Sequence, residues 1–296
     1  MSTFLRKITL FLTLAAIILN AMIFILNYSN NKILNHYAAS LKDSVLFVGD
    51  SHLKLAIDDT TLNCINFSQS GEPYLFSFYK IERLLRYNSS IKKIYLGFNY
   101  NNISTFADDL IDGKDNWIMS VRYFYILPYS EKRKYVKLNA NDLPDFLRNV
   151  LINGWKNVFS KNVRFTFLGL FENNYPNTEA KKTSIDRRIE TQYFIDNHLR
   201  EFSESNILFL QRIIDLCKEK KIDLILLKTP LHPYYQNQVP PSYLEKYNDI
   251  VKQNNLNVED FHSLTLSDSC FLPDGDHISQ KGMALVSKYF KQQHKF

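Results

Sequence analysis

Cysteine is scarce in this chain: Cys64, Cys217 and Cys270 are the only three in 296 residues. Three thiols cannot build a disulfide framework, although an exported compartment would permit one bond. Cys64 falls in an apolar run and Cys217 on a helical pattern, so burial as small apolar side chains is the expected use of both. No internal repeat and no extended low-complexity segment occurs, which excludes a repeat architecture. Nucleic-acid-binding motifs are also missing, and no nucleic-acid partner is expected. The formal net charge of +6 is modest for this length; anionic glycan, lipid headgroups or a solvated basic surface account for it equally. With 45% apolar and 22% charged residues, the composition is that of a folded chain.

Charge is absent altogether from Ile8 to Leu26, where only Thr9, Thr13 and Asn20 interrupt apolar residues. Nineteen residues at ~1.5 Å rise reach about 29 Å, the thickness of a bilayer core. The pattern predicts a membrane anchor over residues 1–28, with the span at 8–27, followed by a polar, partly helical neck over 29–42. Arg6 and Lys7 precede the run and Lys32 is the first cation after it. The positive-inside rule then places the N-terminus in the cytoplasm and the rest outside the cytoplasmic membrane. The competing readings are a cleaved signal peptide, for which Ile25-Leu26-Asn27-Tyr28-Ser29 is a poor cleavage site, and a buried core helix.

From Asp43 onward, apolar runs alternate with helical patterns. Val45–Val48, Leu62–Phe67, Lys93–Gly97, Asp223–Leu227 and a weaker run at Asn257–Phe261 read as strands. Helices are expected after Ser51, from Pro73 to Arg86, Ser203 to Lys220, Ser242 to Gln253, and from a Ser279 cap to Gln292. Such alternation predicts an α/β fold: a flavodoxin-like three-layer sandwich with a parallel sheet and helices on both faces. It fails between about 101 and 200, an insertion with an aromatic, basic run (Trp117 to Tyr135) and an amphipathic helix with Phe146, Leu147, Val150, Leu151, Trp155 and Val158 aligned on its apolar side. A strand is expected at Val163–Leu170, and a polar, mobile stretch from Glu172 to Asp186. The insertion reads either as a lid over the site or as packing against the membrane-proximal side.

In parallel sheets, ligands bind at the C-terminal strand ends. Gly49-Asp50-Ser51-His52 follows the first strand, Ser70-Gly71 the second and Gly97-Phe98-Asn99 the third, while Asp274-Gly275-Asp276-His277 comes after the fifth. All of these groups therefore leave the same sheet edge. A serine hydroxyl needs a base to take its proton, and an imidazole held by a carboxylate does this near neutral pH. Ser51, His277 and Asp274 are the candidate catalytic residues. Asp276 reads as a turn or cap residue at its spacing. Oxyanion donors would come from the Gly71 amide and the Asn99 side chain. His232, after the fourth strand, and Asp50 are candidate substrate contacts. Asp50, His52, Asp274, Asp276 and His277 can also be read as a phosphoesterase metal cluster, although they match no regular zinc spacing and leave the serine unexplained.

The Gly-Asp-Ser, Gly-x-Asn and Asp-x-x-His contexts, in that order, resemble the SGNH (GDSL-type) hydrolase superfamily over residues 44–99 and 257–293. The resemblance implies Ser51 as nucleophile, His277 as base, Asp274 as its orienter, an oxyanion hole of Ser51, Gly71 and Asn99, and no cofactor or metal. Two positions depart from the family pattern: Asn99-Tyr100 replaces its Asn-Asp pair, and His52 its common Leu. One anchor before an exported SGNH-like domain (43–296) is similar to D-alanyl transfer proteins of teichoic acids and to envelope-glycan O-acetyltransferases. That likeness implies acyl transfer to a cell-envelope polysaccharide, beside a multi-pass membrane acyl-donor protein, with membrane lipid around the helix. A carbohydrate esterase, or a non-catalytic glycan-binding or assembly protein, are the alternatives.

Overall fold

A computed structural model describes residues 2–62, 64–159, 167–169, 173–175 and 178–294. Helix α1 (Ser2–Ser40) leads to β1 (Val45–Val48), α2 (Ser51–Ala56), β2 (Ile65–Asn66), α3 (Tyr74–Tyr87) and β3 (Lys93–Gly97). Four helices follow, α4 (Asn116–Tyr123), α5 (Tyr129–Leu138), α6 (Leu143–Phe159) and α7 (Lys182–Tyr193), then a small hairpin of β4 (Phe194–Ile195) and β5 (His198–Leu199). The chain closes with α8 (Glu204–Lys220), β6 (Asp223–Lys228), α9 (Pro233–Gln236), α10 (Pro241–Asn254), β7 (Asn257–Asp260) and α11 (Gln280–Gln293).

The main sheet is fully parallel, in the order β2-β1-β3-β6-β7. Counting only these five strands along the chain, the order is 2-1-3-4-5, the doubly wound flavodoxin-like arrangement. Side chains alternate across the sheet. Leu46, Val48, Ile94, Leu96 and Leu226 enter the larger core, shared with α3, α8 and α10. Phe47, Tyr95 and Leu227 enter the other, against Leu53 and Ala56 of α2 and Met283, Val286 and Phe290 of α11. Short strands buried on both faces explain why the sequence shows continuous apolar runs there. The cysteines are free and buried; burial pushes the Cys64 and Cys217 thiols up to about 12.

Three expectations change. The neck is no separate segment: α1 continues unbroken to Ser40, and Leu26, Leu34 and Ala38 are buried in the larger core, with Asn30 buried on the same stripe. A four-residue spacing keeps them on one helix face, which α3 and α6 cover. The described parts of 173–186 are fastened rather than mobile. Asn173 Nδ2 donates to the Leu55 and Ile278 carbonyls, the Ala180 and Lys181 amides to those of Asp268 and Pro273, and α7 starts at Lys182. Backbone bonds to the C-terminal segment compensate for the scarcity of apolar residues. Within the predicted strand 163–170, only 167–169 are described, as a turn; the remainder lies outside the described residues. The insertion serves both sides of the domain, with α6 against α1 and α7 beside the sheet edge that carries Ser51.

One buried ion pair sets the turn after β2. Lys80 Nζ, 1% exposed, lies 2.6 Å from Glu72 Oε2 and 2.5 Å from the Phe67 carbonyl, and Glu72 also accepts from Ser77 and from the Tyr123 hydroxyl. Burial raises the Glu72 carboxyl and lowers the Lys80 ammonium even against their mutual attraction. Gly71, immediately before Glu72, has φ +67°, which a side chain would strain.

Candidate functional site

The turn after β1 lifts Ser51 to the first position of α2, with Asp50 as the N-cap accepting from the His52 amide at 2.9 Å. Gly49 and Gly97 pass back to back here: a Cβ on Gly49 would meet Gly97 Cα at 3.2 Å. The β1 and β3 ends can therefore approach closely enough for both turns to border one cleft. From the other end of the chain, the segment before α11 brings in His277. Its Nε2 lies 2.7 Å from Ser51 Oγ, and its Nδ1 lies 2.8 Å from Asp274 Oδ2. Asp276 Oδ1 is 3.0 Å from that same Nδ1 but makes no hydrogen bond, so the N–H is directed at Asp274.

Asp276 is not the turn residue expected. It is 1% exposed, and its Oδ2 receives His52 Nε2 at 3.1 Å, Arg188 Nε at 2.7 Å and Gln192 Nε2 at 2.8 Å. Gly275, with φ +70°, turns the chain so that Asp274 and Asp276 both face inward. His52 is held at its second nitrogen by Asp50 Oδ1, 3.0 Å away, while Asp50 Oδ2 accepts from Asn102 Nδ2 at 2.8 Å. The His52 ring stacks on His277 with centroids 4.5 Å apart and planes 8° apart. The result is an alternating row of charges behind the serine: Asp50, His52, Asp276, Arg188.

Burial alone would lower His52, but the Asp50 charge and the bonds from both carboxylates raise it to about 10. Burial likewise raises Asp50 and Asp276, yet His52 and Asn102 hold the first, and Arg188, His277 and His52 the second, far below the usual carboxylate range. For His277, burial lowers the pKa and the Asp276 charge raises it; the His52 cation opposes, the bond to Asp274 adds, and the net is upward. Stability should follow these signs. A histidine raised above its unfolded value of about 6.5 stabilises fully below that pH and loses the contribution as pH climbs toward 10. Carboxylates lowered below about 4 stabilise fully above it and lose the contribution in acid. Urea midpoints should thus form a plateau from about pH 4 to 6.5 and fall on both sides. His52→Gln should flatten the alkaline fall; a wild-type midpoint still rising between pH 7 and 10 contradicts the clamp on His52.

The cleft beside Ser51 has a volume of about 510 Å³. Asp50, Ser51, Gly71, Asp274 and His277 line it, with Asn101, Phe106 and Arg188 from the insertion. The structure does not bring Asn99 there. Its Nδ2 donates to Thr229 Oγ1 at 2.7 Å and its Oδ1 accepts from the Thr229 amide at 3.1 Å, so both ends of the carboxamide tie β3 to β6. Two residues on, Asn101 is 7% exposed, borders the cleft, and its carboxamide has no partner among the described residues. The short 3₁₀ turn Tyr100–Ile103 makes the exchange, and Tyr100 packs into the core against Tyr247. His232 also stays out of the lining: its Nδ1 caps α9 through the Tyr234 amide, and its Nε2 faces Asp268 at 3.1 Å. Asp50 borders the cleft, but its oxygens are committed to His52 and Asn102.

His52, Asp276 and His277 place ligand-type atoms within 4.8 Å of one another, the geometric minimum for a metal. The Arg188 cation already sits on Asp276, and each His52 nitrogen faces a carboxylate. A divalent ion would have to displace the guanidinium and imidazole protons, so the charges favour the paired arrangement over the cluster reading.

No protein-family model matches this chain, and no curated protein does. Among solved structures it is similar to a GDSL-like lipase from Bacteroides thetaiotaomicron, at 11% identity, covering 90% of this chain and 97% of the other with a TM-score of 0.41. A likeness of that strength decides nothing about chemistry. The α/β assignment rests on the sheet, and the reading of the site on its own distances.

Sequence reasoning missed Arg188 and Gln192, which lie in the insertion more than 80 residues from their partner Asp276. No local signal marks them. Asn101 was within reach, since Asn99, Asn101 and Asn102 stand in one short run.

Proposed function

We propose that this chain is a membrane-anchored serine enzyme of acyl esters, acting on a cell-envelope polysaccharide through an acyl-serine intermediate, with transfer of an O-acyl group as its main reaction. The observation that carries the reading is the continuous line Ser51 Oγ, His277 Nε2, His277 Nδ1, Asp274 Oδ2, with spacings of 2.7 and 2.8 Å across the cleft edge. Ser51 Oγ attacks the acyl carbonyl while His277 Nε2 takes its proton; the proton then leaves with the departing alcohol. A sugar hydroxyl, or water in the esterase alternative, gives its proton to His277 and carries the acyl group away, and His277 returns that proton to the departing Ser51 Oγ. Asp274 holds Nδ1–H throughout and stabilises the imidazolium.

The Ser51 and Gly71 amides would provide two oxyanion donors, and Asn101, in place of Asn99, the third. Asn101→Ala should lower kcat by about 10²–10³-fold with little change in KM.

The long apolar helix α1 suits a single-pass anchor, and the charge pattern around it favours an extracytoplasmic domain. The donor would be supplied by a multi-pass membrane protein. Ser70 on the cleft wall, beside Phe106 and Leu110, suits the hydroxyls and ring faces of a sugar. To test the reading, full-length protein in detergent is given a chromogenic acetyl ester, with and without an acceptor polysaccharide. Acetyl appearing on the polymer supports transfer, and acetate release alone supports the esterase. If the folded protein consumes no ester, the non-catalytic glycan-binding alternative takes its place.

A further inference from the structure

The inner face of α6 is explained by the core: Phe146, Val150, Asn153, Gly154 and Asn157 are buried. Its outer face is not. Ile152, Trp155 and Phe159 recur there at helical spacing and are 39%, 38% and 73% exposed. The Trp155 and Phe159 rings stack on each other, centroids 5.3 Å apart at 12°. An apolar stripe facing water on a helix that already has a buried face needs an occupant.

Its position beside α1 identifies one. The apolar run ends at Leu26, and Asn27 and Asn30 follow it. Asn30 Nδ2 donates to the Gly154 carbonyl at 3.2 Å, and Lys132 at the start of α5 donates to Asn27 Oδ1 at 2.6 Å. Leu26 itself is 1% exposed, and Ile23 packs against the same core. The domain therefore covers the last turn of the apolar run. Four residues of helix from Leu26 to Asn30 rise only about 6 Å, which is within the headgroup layer. Gly154 stands at that depth, and Trp155 is the next residue. Tryptophan is favoured there because its ring is amphipathic, and Lys156, exposed beside it, suits anionic headgroups.

We infer that the outer face of α6 rests in the headgroup layer of the bilayer crossed by α1, a second membrane contact built from Ile152, Trp155, Phe159 and Lys156. The inference rests on α1 spanning the membrane and is independent of the chemistry at Ser51.

The chain has two tryptophans, so Trp117→Phe leaves Trp155 as the sole one. Full-length protein is reconstituted into vesicles of phosphatidylcholine and phosphatidylglycerol, with acyl chains brominated near the headgroup or left unbrominated. Trp155 fluorescence should fall at least twofold in the brominated vesicles, and aqueous acrylamide should quench it weakly. Phe11→Trp, in a background lacking both native tryptophans, reports on α1 alone. Quenching of that probe without quenching of Trp155 overturns the inference and leaves the face to a protein partner. Failure of both probes overturns the spanning helix as well. Activity toward an acyl ester, measured on the same vesicles, reports separately on the serine site.

Discussion

A serine-reactive fluorophosphonate added to the full-length protein should label Ser51, and the label should be lost in Ser51→Ala and in His277→Ala. Turnover of an acyl ester should fall by about 10⁴-fold or more in either variant, and the double variant should lose little beyond the worse single one, because nucleophile and base act as a unit. Asp274→Asn should also impair turnover, since an amide beside Nδ1 favours the wrong tautomer. In the wild type, turnover should rise with pH through a limb lying above the ordinary histidine value: the base must be neutral, and its pKa is raised by Asp276 and the bond to Asp274 against burial and the His52 cation. A protein that takes no label while folded, and whose cellular role survives Ser51→Ala, is not a serine enzyme.

The second large effect concerns stability. Lys80→Met should cost about 3–5 kcal/mol, because it strands the Glu72 carboxylate in a fully buried site. Adding Glu72→Gln should restore most of the loss, as the neutral amide no longer needs the ammonium, and a double-mutant cycle would measure the coupling. Circular-dichroism melts of the two single variants and the double variant decide this. Equal stability in Lys80→Met and wild type would mean that the ion pair does not hold this turn. Since Lys80 also grips the Phe67 carbonyl, the restored double variant should regain stability before it regains turnover: the Gly71 amide depends on the same turn.

The strands were readable because each is a short apolar run ended by a residue with a reason to be there. Gly49, Gly71 and Gly97 mark close approach or positive φ, and Ser279 and Ser203 cap the helices after them through the Gly282 and Asn206 amides. Ser51, Asp274 and His277 were readable for the same reason, as residues leaving one sheet edge. Asp276 was not, because spacing alone cannot show that Gly275 turns both flanking carboxylates inward. Asn99 and Asn101 illustrate a related limit. Which carboxamide reaches the cleft depends on a 3₁₀ turn and on a partner, Thr229, 130 residues away. His52 looked like a departure at one position, yet its meaning lies in two carboxylates far apart in the chain, Asp50 and Asp276.

Helix α1 is commonly the part of such a chain that would be discarded to obtain a soluble fragment. Here Leu26, Leu34 and Ala38, each at most 2% exposed, belong to the domain's own core, and the Asn88 side chain grips the Ala38 and Leu41 carbonyls. A fragment cut at Asp43 would carry an open apolar furrow along α3 and α6 where the helix had been. It should self-associate more strongly than one beginning near Met22, in which the furrow stays filled.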